Sequence, residues 1–388
     1  MSTGLSHHRS VVAPGPAPTA KLWFVVFLAY LALGGTVQLL PASLGSRFGS
    51  STAFIGLAVG IAFGATALCR PIAGWASDAG AGKQVVVLGA VLTSAGAIGQ
   101  ALAVAEWQVL AARIVMGAGE AAVFSGALPW VLHRAPKERR GSISGIFGMS
   151  MWSGLAAGPL IVGLALHAGE RLAWVSVAFL GLASAGVAIA TPRAGAIDLP
   201  HLRMRSLWPR RVGAPAVLFG LAAYGYGTIS AVLVLYLSER VGGAHLGLTV
   251  FAAAFLVARA AGSRAVDRYG AHAVAVGTLV VEAAGFAVLI TASGVVGALT
   301  GVALVGAGCS LAFPATVGIT LARAGDRSPG VAVAAVTSFW DAGVLAAGVA
   351  GGLLVVLVDY EAAFVAALLA SLLALVAAIV LRRARSEG

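Results

Sequence analysis

The sequence predicts an all-α polytopic membrane protein whose twelve transmembrane helices form two six-helix, pseudo-symmetric halves. Composition comes first: 60% of the 388 residues are hydrophobic, only 10% are charged, and mean hydropathy is +0.97, far more apolar than a soluble globular chain. Second, apolar runs of the roughly 20 residues that a helical span needs, broken by Gly, Pro or charge, recur about twelve times; a membrane β-barrel would show short alternating segments instead. Third, the chain repeats itself. Arg70 and Arg259, Asp78 and Asp267, Gly117 and Gly306, Gly119 and Gly308, Phe124 and Phe313, Gly141 and Gly330, and Gly154 and Gly343 all stand 189 positions apart. One constant offset shared by seven pairs marks two tandem copies of one structural unit, parallel halves related by an axis along the membrane normal.

In chain order, residues 1–20 are rich in Pro, Ala and Ser with no apolar core, and are expected to be a disordered cytoplasmic tail rather than a cleaved signal. The N-terminal six-helix bundle covers 21–191, its first two spans at about 22–42 and 53–73. Residues 192–211 carry Pro192, Asp198, Pro200, Arg203, Arg205, Pro209, Arg210 and Arg211, which cannot cross a bilayer, so they form the cytoplasmic linker. The C-terminal bundle covers 212–382, and 383–388 are a cytoplasmic tail. The net charge of +11 raises the question of nucleic acid, but the basic residues sit in short loops between spans rather than on one soluble face. Orientation explains them better. With the amino terminus inside, only Arg47, Arg171 and Arg240 fall outside and Arg113 lies in the membrane, which leaves 21 of the 25 Lys and Arg on the cytoplasmic side. Both termini are therefore expected in the cytoplasm.

The chemistry concentrates between Arg113 and Gly163, two apolar segments joined by the basic loop His-Arg-Ala-Pro-Lys-Glu-Arg-Arg at 133–140. Arg113, Gly117 and Glu120 are spaced four and seven residues apart, so a helix puts them on one face. Ionisable groups inside an otherwise uncharged span face a protein interior or a water-filled path, which makes a functional site the default expectation. The second segment reads Gly154-Leu-Ala-Ala-Gly158-Pro159-Leu-Ile-Val-Gly163. Its small residues let another backbone come close, and Pro159 weakens the helix. In this order and spacing, the pair of segments resembles the fourth and fifth helices of the major facilitator superfamily. Arg113-x-x-x-Gly117-x-Gly119 is similar to that family's fourth-helix motif, and the Gly154–Gly163 run to its fifth-helix antiporter motif, with Leu164 where a second closing glycine is usual.

The stretch after span two, Gly74-Trp-Ala-Ser-Asp78-Ala-Gly80-Ala-Gly-Lys83, resembles a degenerate form of the superfamily's loop signature between helices two and three. Further segments resemble the arabinose-efflux-permease-like, drug:proton antiporter branch: Gly117-Ala-Gly119-Glu120, Gly126-Ala-Leu-x-Trp130, Val281-Glu282-Ala-x-Gly285, Gly308-Cys-Ser310-Leu-Ala-Phe313-Pro314 and Ser338-Phe339-Trp-Asp341. The resemblance implies a proton-coupled exporter of a small organic molecule, in a bacterial inner membrane, working by rocker-switch alternating access. A proton-linked importer or uniporter of a sugar or metabolite is the alternative. A non-transporting membrane receptor or assembly partner is the alternative of another class.

Glu120, Glu282 and Asp341 are the acids well inside spans, and counting about 1.5 Å per residue puts Glu120 and Asp341 near mid-depth. Glu120, Arg113 and Asp341 are the proton-coupling candidates, since a carboxylate in a poorly hydrated cavity can load and release a proton. Arg113 either tunes Glu120 or anchors two helices; Glu282, on a helix that the resemblance makes peripheral, is expected in an interior hydrogen bond. Arg70, Gly74, Asp78, Arg259, Asp267, Gly154, Gly158 and Pro159 are the candidates for a conformational gate, with the arginines and Asp78 and Asp267 expected at cytoplasmic span ends. Tyr224, Tyr226, Trp152, Trp340, Phe124 and Phe313 are the aromatics that could line a substrate cavity. Cys69 and Cys309 fall inside spans and read as small apolar fillers. No histidine pair has metal-site spacing and no Walker-type phosphate loop occurs, so neither a metal nor a cofactor is expected, nor enzymatic activity; the proton gradient is the energy source. Partners are the bilayer, protons and a small-molecule substrate, with no nucleic acid. One chain holds both halves, so a monomer is expected to suffice.

Overall fold

The computed structural model describes residues 18–132, 140–192, 213–242, 244–324 and 329–386, and every regular element among them is helical. The expected tail and linker segments at 1–17, 193–212 and 387–388, and most of the basic loop at 133–139, lie outside the described residues. The first half contains α1 (Thr19–Phe48), α2 (Thr52–Ala76), α3 (Gly82–Leu102), α4 (Glu106–Leu132), α5 (Arg140–Leu166) and α6 (Glu170–Ala190). The second contains α7 (Gly213–Tyr236), α8 (Ala244–Ala261), the short α9 (Ala265–Tyr269), α10 (Ala271–Thr291), α11 (Val295–Ser310), α12 (Ala312–Ala324), α13 (Pro329–Leu357) and α14 (Tyr360–Ser386). Among the described residues, eleven helices are long and apolar enough to span a membrane, with α11 and α12 counted as one continuous span; a further apolar helix, Leu246–Ala261 within α8, is shorter.

Two breaks in these helices have local causes. Between α2 and α3 the chain passes through a π-type turn, Ser77–Ala81, in which Gly80 adopts φ 93°, a conformation that costs glycine nothing because it has no Cβ. Lys83 then donates from Nζ to the carbonyls of Ile189 and Thr191, both at 2.7 Å, supplying donors that the end of α6 lacks. Between α11 and α12 the cause is Pro314, which has no N–H for the carbonyl four residues back, Ser310. Arg259 on α8 fills that vacancy, donating Nη1–H to the Ser310 carbonyl at 3.0 Å.

Burial separates a central set of helices from a peripheral one. The apolar windows of α1, α4 and α7 are 78% buried against 39% for α6, α13 and α14; α13 is exposed along part of its length while its other face packs on α2, and the outward residues of α6 and α14, such as Phe179 and Leu373, are apolar and face the lipid. Helix pairs meet where glycine removes the side chain. A Cβ at Gly117 of α4 would strike the Ala62 carbonyl of α2, and one at Gly158 of α5 would fall among Gly35 N, the Leu31 carbonyl and Gly34 C of α1. The two halves touch along α2 and α13 in the same way: Gly56 and Gly348 each lie against the other's carbonyl, and Gly352 packs on the backbone of Thr52 and Ala53.

Candidate functional site

The α2–α13 seam continues from these glycines to Arg70. Expected at a span end as part of a conformational gate, Arg70 has a side chain only 2% exposed and reaches across the halves to Asp341 of α13, also 2% exposed. Arg70 donates Nε–H to Asp341 Oδ2 at 2.5 Å and Nη2–H to Oδ1 at 3.3 Å, the two-pronged geometry that suits a planar guanidinium. Nη2 also donates to the Tyr30 hydroxyl of α1 at 3.3 Å, and the guanidinium lies 5.5 Å from the centre of the Phe124 ring of α4. Four helices therefore hold one cation. Its remaining nitrogen, Nη1, is buried and has no partner.

Glu120 sits one turn before Phe124 on α4. Its side chain is fully buried, and neither carboxylate oxygen has a hydrogen-bond partner. The Tyr30 hydroxyl that accepts from Arg70 donates to the Glu120 backbone carbonyl, at 3.5 Å, so it links the two residues without satisfying the carboxyl group. Arg113, expected either to tune this acid or to anchor two helices, reaches α2: Nε–H and Nη2–H donate to the Ala58 and Val59 carbonyls, each at 2.8 Å. The close approach at Gly117 explains this, because it brings the α2 backbone within reach of a side chain one turn earlier on α4. A buried ionised carboxylate without partners costs several kcal/mol, which sets Glu120 apart from the paired Asp341. The site thus sets a buried ion pair between the halves beside a fully buried carboxyl group without partners.

The aromatic candidates divide between two clusters. Trp152 of α5 packs edge-on against Trp340 at 4.5 Å between ring centres, and also against Phe219, Phe255 and Phe313. Tyr226 joins through Trp340 and Phe251. Phe124 belongs instead to the Arg70 cluster, with Tyr30 and Phe147. Tyr224 is half-buried, packed against the edge of the core. Tyr30, Phe147, Phe219, Phe251 and Phe255 were missed by residue-by-residue inspection, but the repeat contained a signal for two of them. Tyr30 and Phe219 stand 189 apart, as do Trp152 and Asp341. Each half contributes to the other at the same place: Asp341 enters the Tyr30–Arg70–Phe124 cluster, and its counterpart Trp152 enters the cluster of their counterparts Phe219 and Phe313. One pseudo-symmetric position is a charge in one half and an indole in the other.

The remaining candidates lie apart from this centre. Glu282 of α10 is fully buried and accepts from the Ser371 hydroxyl of α14 at 3.1 Å, while its second oxygen has no partner. We expect Glu282→Gln to leave the folded yield in the membrane near the parent level, because the amide retains the oxygen that Ser371 uses; comparing the membrane-inserted yield of the variant and the parent checks this. Arg259 serves the α11–α12 break, and Asp267 is exposed on α9. The Asp78 side chain lies outside the described residues. Gly74 is not forced by crowding, since a Cβ there would meet only the Ser125 carbonyl, at 4.0 Å. Gly154, Gly158 and Pro159 line the α1–α5 contact, where the Leu155 carbonyl, freed of its helical donor by Pro159, faces Gly34.

Comparison with known proteins agrees with this architecture. The family model described as Major Facilitator Superfamily matches residues 22–207 and 215–388. An uncharacterized MFS-type transporter of Salmonella typhimurium is 31% identical over 352 residues, covering 87% of this chain and 90% of the relative. Among solved structures, the nucleoside transporter NupG superposes with a TM-score of 0.71 at 12% identity, over 94% of this chain and 99% of that one. The human organic anion transporter MFSD10 gives 0.71 at 15% identity, over 93% and 98%. With two six-helix halves, a family match over nearly its whole length and relatives of the same kind, the chain belongs to the major facilitator superfamily of transporters.

Proposed function

We propose that this transporter is a proton-coupled exporter of a small organic molecule, of the drug:proton antiporter kind, in a bacterial inner membrane with both termini in the cytoplasm. The proton gradient drives it without a cofactor, one chain suffices, and the halves rock about a central site to give alternating access. The observation that carries this is Glu120, a fully buried carboxyl group with no partner for either oxygen, one turn from the ring over which the inter-half ion pair sits. An acid so placed is stable when neutral and needs water or a cation once it loses its proton, so its protonation state is tied to the shape of the surrounding helices. Asp341 is the second carboxylate of the cycle. Its partner lies on the opposite half, so the α2–α13 seam opens only when that pair breaks. The fifth-helix glycine motif favours export over import.

Untargeted mass spectrometry of medium and cell extracts from intact, deleted and Glu120→Gln strains tests this. The expected result is a compound lost from the medium and retained in the cells of both altered strains. Normal export by the Glu120→Gln strain would remove the proton-carrier role. Depletion of the compound from deletion-strain cells would reverse the direction.

A further inference from the structure

Two buried groups of opposite character in one cluster lack partners: the Arg70 Nη1 donor and both Glu120 oxygens. Tyr30 bonds to both residues, and Phe124, over which Arg70 lies, is one helical turn from Glu120. We infer that Arg70, rather than Arg113, is the positioning cation of the cycle, and that it exchanges carboxylates: it pairs with Asp341 while Glu120 holds a proton, and with Glu120 once that proton has left. This rests on the proton-coupled carrier proposed above.

The exchange balances in charge and protons. Glu120 gives up its proton and becomes the anion beside Arg70; Asp341, deprived of its cation, takes up a proton and becomes neutral. One carboxylate is ionised before and after, so no uncompensated charge is left in the protein interior at either end of the step. Its mechanical effect is asymmetric. Arg70 and Glu120 both belong to the first half and Asp341 to the second, so moving the pairing to Glu120 removes an ion pair from the α2–α13 seam and leaves the halves free to part. Proton loss and opening of the seam thereby become one event. The titratable and charged groups facing Glu120 are Arg113 on its own helix, Tyr30 of α1, Arg70 of α2, Tyr226 of α7 and Asp341 of α13. Arg113 is held by two backbone carbonyls, and the tyrosines carry no charge near neutrality, which leaves Arg70 as the mobile partner.

Infrared spectroscopy of the full-length protein in lipid vesicles reads this directly, through the carbonyl stretch that only a protonated carboxyl group gives. The Glu282→Gln background keeps a second buried acid from contributing. A band absent after Glu120→Gln assigns the protonated group as Glu120; no such band in the parent would overturn both the proton-carrier role and the exchange. Asp341→Asn should abolish the band, because Arg70 then draws Glu120 into its ionised form, and adding Arg70→Gln to that variant should restore it. A band that persists unchanged in Asp341→Asn overturns the exchange while leaving the proton-carrier role intact. Thermal melting gives a second arm. Glu120→Gln alone should lower the midpoint little, and far more when combined with Asp341→Asn, since Arg70 then has no carboxylate; strictly additive shifts, or failure of Asp341→Asn alone to fold, would sink the idea.

Discussion

Replacing Arg70 with Met is expected to lower the melting midpoint of the purified transporter sharply near neutral pH, and the deficit should shrink as the solution is made more acidic. The arginine is the partner of a carboxylate that is 2% exposed, and breaking a buried pair by removing one member costs about 3–5 kcal/mol because the other charge is left uncompensated. Asp341 has an escape that an arginine lacks, since it can take up a proton. Neutralising an ordinary aspartate near pH 7 costs about 4 kcal/mol, and that cost falls by about 1.4 kcal/mol for each unit that the pH is lowered. The sign follows: in the variant the folded protein binds a proton that the unfolded chain does not, so stability rises as pH falls until the unfolded carboxyl groups are protonated too. Melting curves in detergent at two pH values, for the parent and for Arg70→Met, check this. A deficit that stays constant or grows on acidification would mean that the arginine supports the fold by packing on Phe124 and Tyr30 rather than by charge. A conservative Arg70→Lys should recover only part of the loss, because an ammonium cannot make the paired contacts to Oδ1 and Oδ2 while also reaching Tyr30.

This arginine also marks the limit of what could be read along the chain. The helical spans and the two halves followed from apolar periodicity and the 189-residue offset, both of which a linear sequence preserves. The partners did not follow. Arg113 and Glu120 share a helical face and looked like a pair, yet two turns of helix separate them, and the backbone that Gly117 admits lies nearer to Arg113 than the acid does. Arg70 lies near the end of α2, where a charge is ordinarily solvated; contacts with α1, α4 and α13, the last 271 residues away in sequence, bury it. Which charges meet is decided by helices that approach from the other half, and no spacing rule within one helix encodes that. The repeat is the exception, since it carries long-range information in linear form. Setting Tyr30 beside Phe219 and Trp152 beside Asp341 would have shown that one half builds a charged centre and the other an aromatic one at the same place.

Gly158→Val is expected to be the most damaging single change among the fifth-helix motif positions, reducing membrane-inserted, monodisperse protein to a small fraction of the parent level. A Cβ at Gly158 would lie within contact distance of Gly35 N, the Leu31 carbonyl and Gly34 C, all of them backbone atoms of α1 that cannot rotate away. Overpacking a well-filled interior costs about 1–3 kcal/mol when side chains can give. Here the two helices must separate, so the cost should reach or exceed the top of that range. The loss would extend along the contact, because Gly154 and Gly34 depend on the same approach: their added Cβ atoms would meet the backbone of Phe27 and Leu31 and of Leu155, respectively. Association of helices within lipid depends on such close packing, since no hydrophobic force distinguishes a neighbouring helix from lipid tails. Gly163, in the same motif, provides the control. Nothing lies within 4 Å of a Cβ built there, so Gly163→Ala should be produced and fold like the parent. Size-exclusion profiles of the two variants, expressed and solubilised side by side, separate the outcomes. Equal loss at both positions would mean that the motif's glycines are needed for bending or for another conformation rather than for the α1–α5 contact. Loss confined to Gly158→Val would assign the motif a structural task, which is to hold α5 so close to α1 that Trp152, two residues before Gly154, reaches across into the aromatic cluster of the opposite half.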